Sequence, residues 1–273
     1  MRFCTVHTHS LLCDGKDTLE EMARAAFDAG AVSFGASGHS YTPIPWDAGN
    51  VLPETAEEYR AEVLRLRKAY EGRMEVLLGI EQDSQSLQPV PDWAEYWIGS
   101  VHNLRDPRTG KWYCVDWDPE RLEICRREMF GGDGLAMARG YYADVAAMAQ
   151  RRPTILGHLD LIVKLNRKGC FFDEAAPAYR SAALEALHAA NLDTTLLEIN
   201  TGAMARGYRD APYPALFLLR EWRTMGGRII LTADAHSAAA VTWAYSLAAE
   251  LARTAGFREH TLLTRRGPVP DLL

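Results

Sequence analysis

The sequence has no hydrophobic stretch long enough to cross a bilayer, since no apolar run approaches the ~18 residues that a membrane helix requires. Its first residues, MRFCTVHTH, lack the basic segment and apolar core of a secretory signal. It contains five cysteines and no CxxC pair, which favours free thiols in a reducing compartment over a disulfide framework. We therefore expect a cytoplasmic protein with no membrane partner.

Basic residues are not in excess, because 36 acidic residues oppose 30 basic ones for a net charge of −6. This balance disfavours nucleic acid as a partner, which would require a basic surface, but it is compatible with a small anionic substrate. No Gly/Ser linker or low-complexity tract divides the 273 residues, and 48% of them are hydrophobic. The length allows two domains, yet we expect a single domain over residues 1–273.

Short apolar runs alternate with amphipathic helical patterns along the chain. Such alternation predicts an α/β fold of parallel strands joined by right-handed crossovers. The number of units fits a closed, TIM-barrel-like (β/α)7 barrel better than an open sheet. The C-terminal segment RRGPVPDLL is predicted to be an extended terminus, either packed on the barrel or frayed. The predicted strands are residues 2–6, 32–37, 75–80, 96–101, 154–157, 195–200 and 228–233.

Histidine is concentrated at the ends of these predicted strands, which is where barrels carry their chemistry. Six of the eight histidines stand there together with Glu81 and Asp234, whereas His188 and His260 do not. A single histidine after a strand is more often a capping or core-edge group than a ligand, but the joint placement predicts a metal site. Imidazole and carboxylate ligands suit zinc, iron or manganese. The six histidines are His7, His9, His39, His102, His158 and His236.

The stretch VHTHSLLCDG contains two histidines one residue apart. Residues i and i+2 of a strand point to the same side, so His7 and His9 are expected to converge. Asp234 and His236 repeat the same spacing. Taken alone, the stretch is equally compatible with two surface histidines in a polar turn. Glu81 adds a carboxylate, which can bridge two ions.

Several motifs resemble those of one known superfamily: HTHS with a following DG, GHS, GIEQD, SVHN, GHLDLI, EINTGAMARGYRDAPYP and TADAHS. Together they resemble the polymerase and histidinol phosphatase (PHP) superfamily over residues 5 to about 240. The later motifs are most similar to its histidinol-phosphate phosphatase branch. The resemblance implies a distorted seven-stranded barrel with a metal site at the carboxyl ends of the strands.

The resemblance also implies three divalent ions, which would be Zn, Fe and/or Mn. Asp14 is the ligand with the clearest alternative, because Asp-Gly also favours a tight turn. The implied sets are His7, His9, Glu81 and Asp234 for one ion, Glu81, His102 and His158 for a second, and Asp14, His39 and His236 for a third.

The implied reaction is hydrolysis of a small phosphate monoester by in-line attack of a metal-bound hydroxide, with no protein nucleophile. The expected partner is a small phosphorylated metabolite, L-histidinol phosphate, which would yield L-histidinol and phosphate in histidine biosynthesis. One alternative is a PHP-type phosphoesterase that acts on nucleotides or other small phosphate esters. Another is a metal-storing barrel without catalysis, which would predict missing ligands. The sequence does not predict an oligomeric state.

Candidate substrate contacts are basic residues in the rim loops. Arg206 could bind phosphate in a bidentate manner, and Lys164 and Arg105 are further candidates, although each could instead be a solvated surface side chain. The aromatic and acidic loop at 112–118 is either a substrate contact or a surface excursion. Glu198 and Asn200 are either substrate contacts or hydrogen-bonding groups at a strand end.

Overall fold

Parallel strands form the centre of the molecule in a computed structural model, which describes residues 1–47 and 49–273. Within those residues, seven strands form one sheet in which every neighbouring pair is parallel. The strands are β1 (Cys4–Thr5), β2 (Ser33–Ala36), β3 (Glu75–Asp83), β4 (Tyr96–Ser100), β7 (Ile155–Leu156), β8 (Leu196–Asn200) and β9 (Arg228–Thr232). Their order in the sheet is β1-β2-β3-β4-β7-β8-β9.

Helices connect most of these strands and cover the outside of the sheet. The first helix begins at a capping box, in which Thr18 and Glu21 each bond the backbone N–H of the other. Asp118 and Pro119 start the third helix in a similar way, with the Asp118 carboxylate accepting from the N–H of Arg121. The helices are α1 (Leu19–Asp28), α2 (Ala56–Ala69), α3 (Pro119–Phe130), α4 (Gly134–Gln150), α5 (Pro177–His188), α6 (Gly202–Ala205), α7 (Leu216–Thr224) and α8 (Tyr245–Thr254).

The first and last strands of the sheet meet at their carboxyl ends. Thr8 and Ala235 form an isolated parallel bridge, in which the N–H of His9 donates to Ala235 over 2.8 Å and the N–H of Ala235 donates to His7 over 3.0 Å. The sheet is thereby a nearly closed barrel, and the predicted distorted (β/α)7 fold is confirmed. Closure takes place within the two histidine-bearing motifs rather than along the length of β1 and β9.

The barrel interior is filled by aliphatic side chains around one tyrosine. Tyr96 is 1% exposed and donates its hydroxyl to the carbonyl of Val6 over 2.6 Å. A Cβ atom at Gly79 would lie 2.3 Å from the Tyr96 ring, and one at Gly35 would lie 2.4 Å from its hydroxyl. The ring therefore occupies space that only glycine leaves open on β2 and β3. The other buried members of this cluster are Cys4, Val6, Leu77, Ile98, Ile155, Leu196, Ile230, Leu262 and Leu263.

Two antiparallel hairpins lie outside the parallel sheet. One joins β5 (Asn103–Arg105) to β6 (Trp112–Cys114), and the other joins β10 (Glu259–Thr264) to β11 (Gly267–Leu272). The C-terminal segment is thus extended, as predicted, and it is paired with β10 rather than frayed. Leu262 and Leu263 of β10 join the interior cluster, and Ser33 of β2 donates to the Leu263 carbonyl over 2.5 Å. The second hairpin closes the amino-terminal end of the barrel.

Among the residues that the structure describes, no helix has the length and apolar character needed to cross a membrane.

Candidate metal centre

The predicted rim side chains gather at the carboxyl ends of the parallel strands. Glu81 lies inside β3, two residues before its last residue, and the others lie in the connections that follow strands. Exposure falls from 37% for the Asp14 side chain to 0% for His7, so the cluster extends from the rim into the barrel. The side chains brought together are His7, His9, Asp14, His39, Glu81, His102, His158, Asp234 and His236.

The alternation of side chains along an extended chain explains why His7 and His9 face the same cluster as Asp234. Thr8 points away from the cluster and donates its hydroxyl to the Gly35 carbonyl over 2.7 Å. His7 and His9 consequently share the opposite side, and their Nε2 atoms lie 3.7 and 3.3 Å from Oδ1 of Asp234. Asp234 has a φ of 47°, a left-handed conformation that aspartate tolerates better than most residues.

Glu81 lies at the centre of the cluster, and its two carboxylate oxygens face different histidines. The side chain is 1% exposed, so each oxygen depends on these neighbours rather than on bulk water. This arrangement suits a carboxylate that bridges two ions. Oε2 lies 3.2 Å from Nε2 of His7, 3.5 Å from Nε2 of His9 and 3.0 Å from Nδ1 of His39, and Oε1 lies 3.0 Å from Nε2 of His158 and 3.5 Å from Nε2 of His102.

Asp14 stands at the outer edge of the cluster. Its Oδ2 lies 3.2 Å from Nε2 of His236 and 3.5 Å from Nε2 of His39, and its Oδ1 lies 3.4 Å from Nδ1 of His9. A turn residue directed to solvent would not face three imidazoles. The geometry therefore favours a ligand role for Asp14 over a purely structural one in the CDG turn.

The donor atoms fit divalent metal ions. Among the described residues, four sets offer three or four ligand atoms within 4.8 Å of one another. Nε2 of His7, Nε2 of His9 and Oε2 of Glu81 are fully buried and have no hydrogen-bond partner. Unsatisfied buried polar atoms are costly, and a shared cation satisfies them. The sets are His9, Asp14, His39 and His236; His7, Glu81 and His158; His7, His9 and Asp234; and His39, Glu81 and His102.

Opposite charges stabilise each other in the deepest part of the cluster. Burial alone would lower the pKa of His7, but Glu198, Glu81 and Asp234 outweigh it and raise that pKa well above its usual value. Burial alone would raise the pKa of Glu81, but the nearby histidines, His7 first, hold it well below its usual value. In the absence of a cation, a protonated His7 therefore balances the carboxylates.

The pKa values of His9 and His102 shift in opposite directions. Burial, followed by the neighbouring His236 and His39, lowers the pKa of His9 to about 3. At His102 burial acts in the same direction, but Glu81 overcomes it and raises the pKa to about 9. Only the deprotonated nitrogen binds a metal. His9 is thus already in its binding form at neutral pH, whereas metal binding by His102 releases a proton.

Glu198, whose role the sequence left open, lies beneath the cluster. It is fully buried, and its Oε1 accepts a hydrogen bond from Nδ1 of His7 over 2.5 Å. Its Oε2 accepts from Nδ2 of Asn200 over 3.0 Å, and the side-chain oxygen of Asn200 accepts from the N–H of Gly202. The E-x-N spacing, which places both side chains on one side of β8, was the available sequence signal.

The three predicted phosphate-binding residues occupy different places. Arg206, just after α6, donates to Oδ2 of Asp234 over 2.9 Å and contacts Nδ1 of His236 at 2.8 Å, so it borders the cluster. Lys164 is 8% exposed and pairs with Oδ2 of Asp116 at 2.9 Å. Arg105 is not brought to the cluster.

The Arg105 guanidinium lies over the Trp112 ring at 5.3 Å, and its Nε donates to the Gly110 carbonyl over 3.4 Å. Both contacts lie within the β5–β6 hairpin. The hairpin therefore accounts for this side chain without a substrate.

A cavity of about 230 Å³ opens directly beside the cluster. Its lining includes His39 and His102 of the cluster together with Trp46, Trp117 and Asp116. Asp116 belongs to the 112–118 loop, so this loop reaches the site. A small organic group could lie in the cavity while a charged group contacts the histidines.

Comparisons with known proteins agree with this architecture. The chain is 30% identical to "Probable histidinol-phosphatase" of Deinococcus radiodurans, over 96% of this chain and 97% of the relative. It is 25% identical to "Histidinol-phosphatase" of Bacillus subtilis, over 88% and 95% of the two chains.

A solved structure of histidinol phosphate phosphatase from Lactococcus lactis, complexed with zinc, L-histidinol and phosphate, superposes with a TM-score of 0.75. The match covers 98% of this chain and 99% of that one at 20% identity, and it shows a shared fold. A family model described as "PHP domain" matches residues 4–202. The chain therefore belongs to the PHP domain family, as its motifs predicted.

Proposed function

We propose that this chain is a metal-dependent phosphatase that hydrolyses L-histidinol phosphate to L-histidinol and phosphate. The observation that carries the proposal is the rim cluster, in which Nε2 of His7, Nε2 of His9 and Oε2 of Glu81 are buried without hydrogen-bond partners and lie close to one another. The relatives named histidinol-phosphatase support the substrate, because the match to each extends over nearly the whole of both chains.

Three divalent ions would be held by the residues of the cluster. His7, His9, Glu81 and Asp234 would hold the deepest ion, and Oε1 of Glu81 would share a second with His102 and His158. A third would lie with Asp14, His39 and His236. The imidazole and carboxylate ligands suit zinc, iron or manganese. When bound, such ions act as Lewis acids toward phosphoryl oxygens and activate water for in-line attack.

Arg206 is placed to orient the phosphate. Its guanidinium is fixed by Asp234 and His236 at the edge of the cluster, with further N–H donors available. A planar guanidinium that is already fixed loses little entropy when it binds two phosphate oxygens. Lys164 adds a second positive charge beside Asp116, and exchange of that partner for a phosphate oxygen would bring it into the site.

The cavity beside His39 and His102 would take the organic part of the substrate. Histidinol carries a cationic amine and an imidazole ring. Trp46 and Trp117 offer aromatic faces to a ring or a cation, and Asp116 offers a carboxylate. A nucleotide is larger, and the net charge of −6 also disfavours long nucleic acids.

The proposal is tested by measuring kcat/KM for L-histidinol phosphate, adenosine monophosphate and p-nitrophenyl phosphate, with the metal content of the same preparation. Histidinol phosphate should exceed the other esters by at least ~100-fold, which corresponds to about 2.7 kcal/mol of transition-state binding. Equal values for the three esters would overturn the substrate assignment. A double variant, His7→Ala with His9→Ala, that hydrolyses every ester normally would overturn the role of the metal cluster.

A further inference from the structure

The Glu198 carboxylate accepts four hydrogen bonds, although it belongs to none of the ligand sets found among the described residues. We infer that Glu198 is a positioning residue that keeps the His7 proton on Nδ1 and thereby directs Nε2 toward the metal. This inference rests on the metal centre of the proposed function and does not depend on which substrate is hydrolysed.

Both carboxylate oxygens of Glu198 are saturated by donors. Oε1 accepts from Nδ1 of His7 over 2.5 Å and from the Thr232 hydroxyl over 2.7 Å. Oε2 accepts from the backbone N–H of His158 over 2.6 Å and from Nδ2 of Asn200 over 3.0 Å. With four donors around a fully buried side chain, no direction is left for Glu198 to coordinate an ion itself.

The contact with His7 decides which ring nitrogen binds the metal. A neutral imidazole has one N–H donor and one acceptor nitrogen, and the hydrogen bond at one nitrogen selects the role of the other. Because a carboxylate can only accept, Nδ1 of His7 must carry the proton. Nε2 then presents its lone pair toward Oε2 of Glu81, 3.2 Å away, where the deepest ion would lie.

Glu198 also connects two of the proposed ions through the protein. One oxygen holds the side chain of His7, and the other holds the backbone of His158 at the point where the chain leaves β7. The proposed ligand sets assign these two histidines to different ions. A single side chain on β8 therefore contacts one ligand of each of these two ions.

The isosteric variant Glu198→Gln separates this role from simple packing. Its amide nitrogen must face one of the two donor pairs. The N–H of His158 and the Asn200 amide, whose oxygen is occupied by Gly202, cannot become acceptors. The amide nitrogen would therefore turn toward His7, which can accept at Nδ1 only by moving its proton to Nε2. The nitrogen aimed at the metal would then be blocked.

Zinc affinity provides the test, measured with Zn²⁺ alone by competition with a chromophoric chelator. We expect E198Q to weaken zinc binding by roughly 10–100-fold, which is the usual effect of removing a hydrogen-bond partner of a metal ligand. The matched control is Thr232→Val, which removes one hydrogen bond to the same oxygen but leaves the contact with His7. T232V should bind zinc like the unmodified chain.

Unchanged zinc affinity in E198Q would overturn the inference, and so would an equal loss in both variants. If E198Q does not fold, a measurement on the unmodified chain still tests the inference. In the zinc-loaded, ¹⁵N-histidine-labelled protein, NMR should show His7 protonated at Nδ1, and a proton at Nε2 would overturn the inference. These readouts need no substrate, so failure to hydrolyse histidinol phosphate leaves them intact.

Discussion

At the scale of single residues, substitution of Glu81 tests the deep part of the candidate metal centre, and substitution of Asp14 tests its rim. Glu81 is buried and its two oxygens face five histidines, whereas Asp14 is 37% exposed and faces three, His9, His39 and His236. Removal of each charge should therefore have a different effect on metal content.

We expect Asp14→Asn to bind one ion fewer per chain and Glu81→Gln to lose at least two. The reason is that Glu81 would be shared by two ions, whereas Asp14 would serve one. Metal content is measured by mass spectrometry of elements after gel filtration. A D14N variant that keeps its full metal content would contradict the ligand role of Asp14.

Asp144 on α4 allows a prediction about pH. Burial, with a smaller effect from Asp83, raises the pKa of Asp144 to about 6. The folded chain thus binds this proton more tightly than the unfolded chain. The contribution of Asp144 to the free energy of unfolding is therefore fully present below about pH 4 and is lost as the pH rises through 6. Asp144→Asn removes the cost of this buried charge.

The D144N variant should be more stable than the unmodified chain at about pH 8, by about 1–2 kcal/mol after allowance for partial exposure. The difference should shrink toward zero near pH 4. Urea unfolding at several pH values measures it, and a constant difference across that range would show that the charge of Asp144 is not its cause.

At the scale of secondary structure, the contact between Tyr96 on β4 and Gly79 on β3 limits how the barrel interior can be filled. An added methyl group at Gly79 gains about 0.5–1 kcal/mol from reduced backbone entropy. It would lie 2.3 Å from the ring, however, and overpacking of this kind costs typically 1–3 kcal/mol or more. The steric cost is the larger of the two.

We therefore expect Gly79→Ala to lower the free energy of unfolding, as measured by chemical denaturation. The double variant with Tyr96→Leu should lose less than the sum of the two single variants, since the smaller side chain relieves the clash. Additive losses would locate the effect elsewhere than in this contact.

The parallel strands could be predicted from sequence, whereas the hairpins could not. A strand buried on both faces reads as a continuous apolar run, as in EVLLGI before Glu81. The C-terminal hairpin gives no such signal, because Pro268 and Pro270 break the apolar strand pattern of β11, which is paired with β10. Leu262 and Leu263 are buried because the hairpin packs against the end of the barrel, a contact that the local sequence does not reveal.

The candidate ligands could be predicted for a related reason, since position after a strand is a property of the sequence. Contacts between side chains are not. His39 illustrates this, because its Nδ1 lies 3.0 Å from Glu81 while its Nε2 lies 3.5 Å from Asp14. The assignment of ligands to individual ions therefore stays a prediction. The role of Glu198 depends in the same way on four partners from distant parts of the chain.

At the scale of the whole molecule, the candidate metal ligands come from strands around the barrel, so bound ions would connect these strands. A ligand that binds only the folded state stabilises it by about 2.7 kcal/mol at a concentration of 100 Kd. For a chain of this size, each kcal/mol shifts Tm by roughly 2–4 °C.

We expect removal of metal with a chelator to lower Tm by roughly 5–10 °C. Calorimetry before and after chelation, with zinc added back, measures the shift. The E81Q variant is the control, because its Tm should respond much less to the chelator. Equal shifts in both proteins would indicate that the ions stabilise the fold through other residues.

The bridge between Thr8 and Ala235 also has a consequence for the timing of synthesis. Roughly 230 residues separate His7 from His236, and ribosomes add about 5–20 residues per second. For about 10–45 s the nascent chain carries its first two histidines without the carboxylate and imidazole that will complete the site. If His236 and Asp234 are ligands, the complete set of proposed ions would therefore be bound only after the last parallel strand has been synthesised.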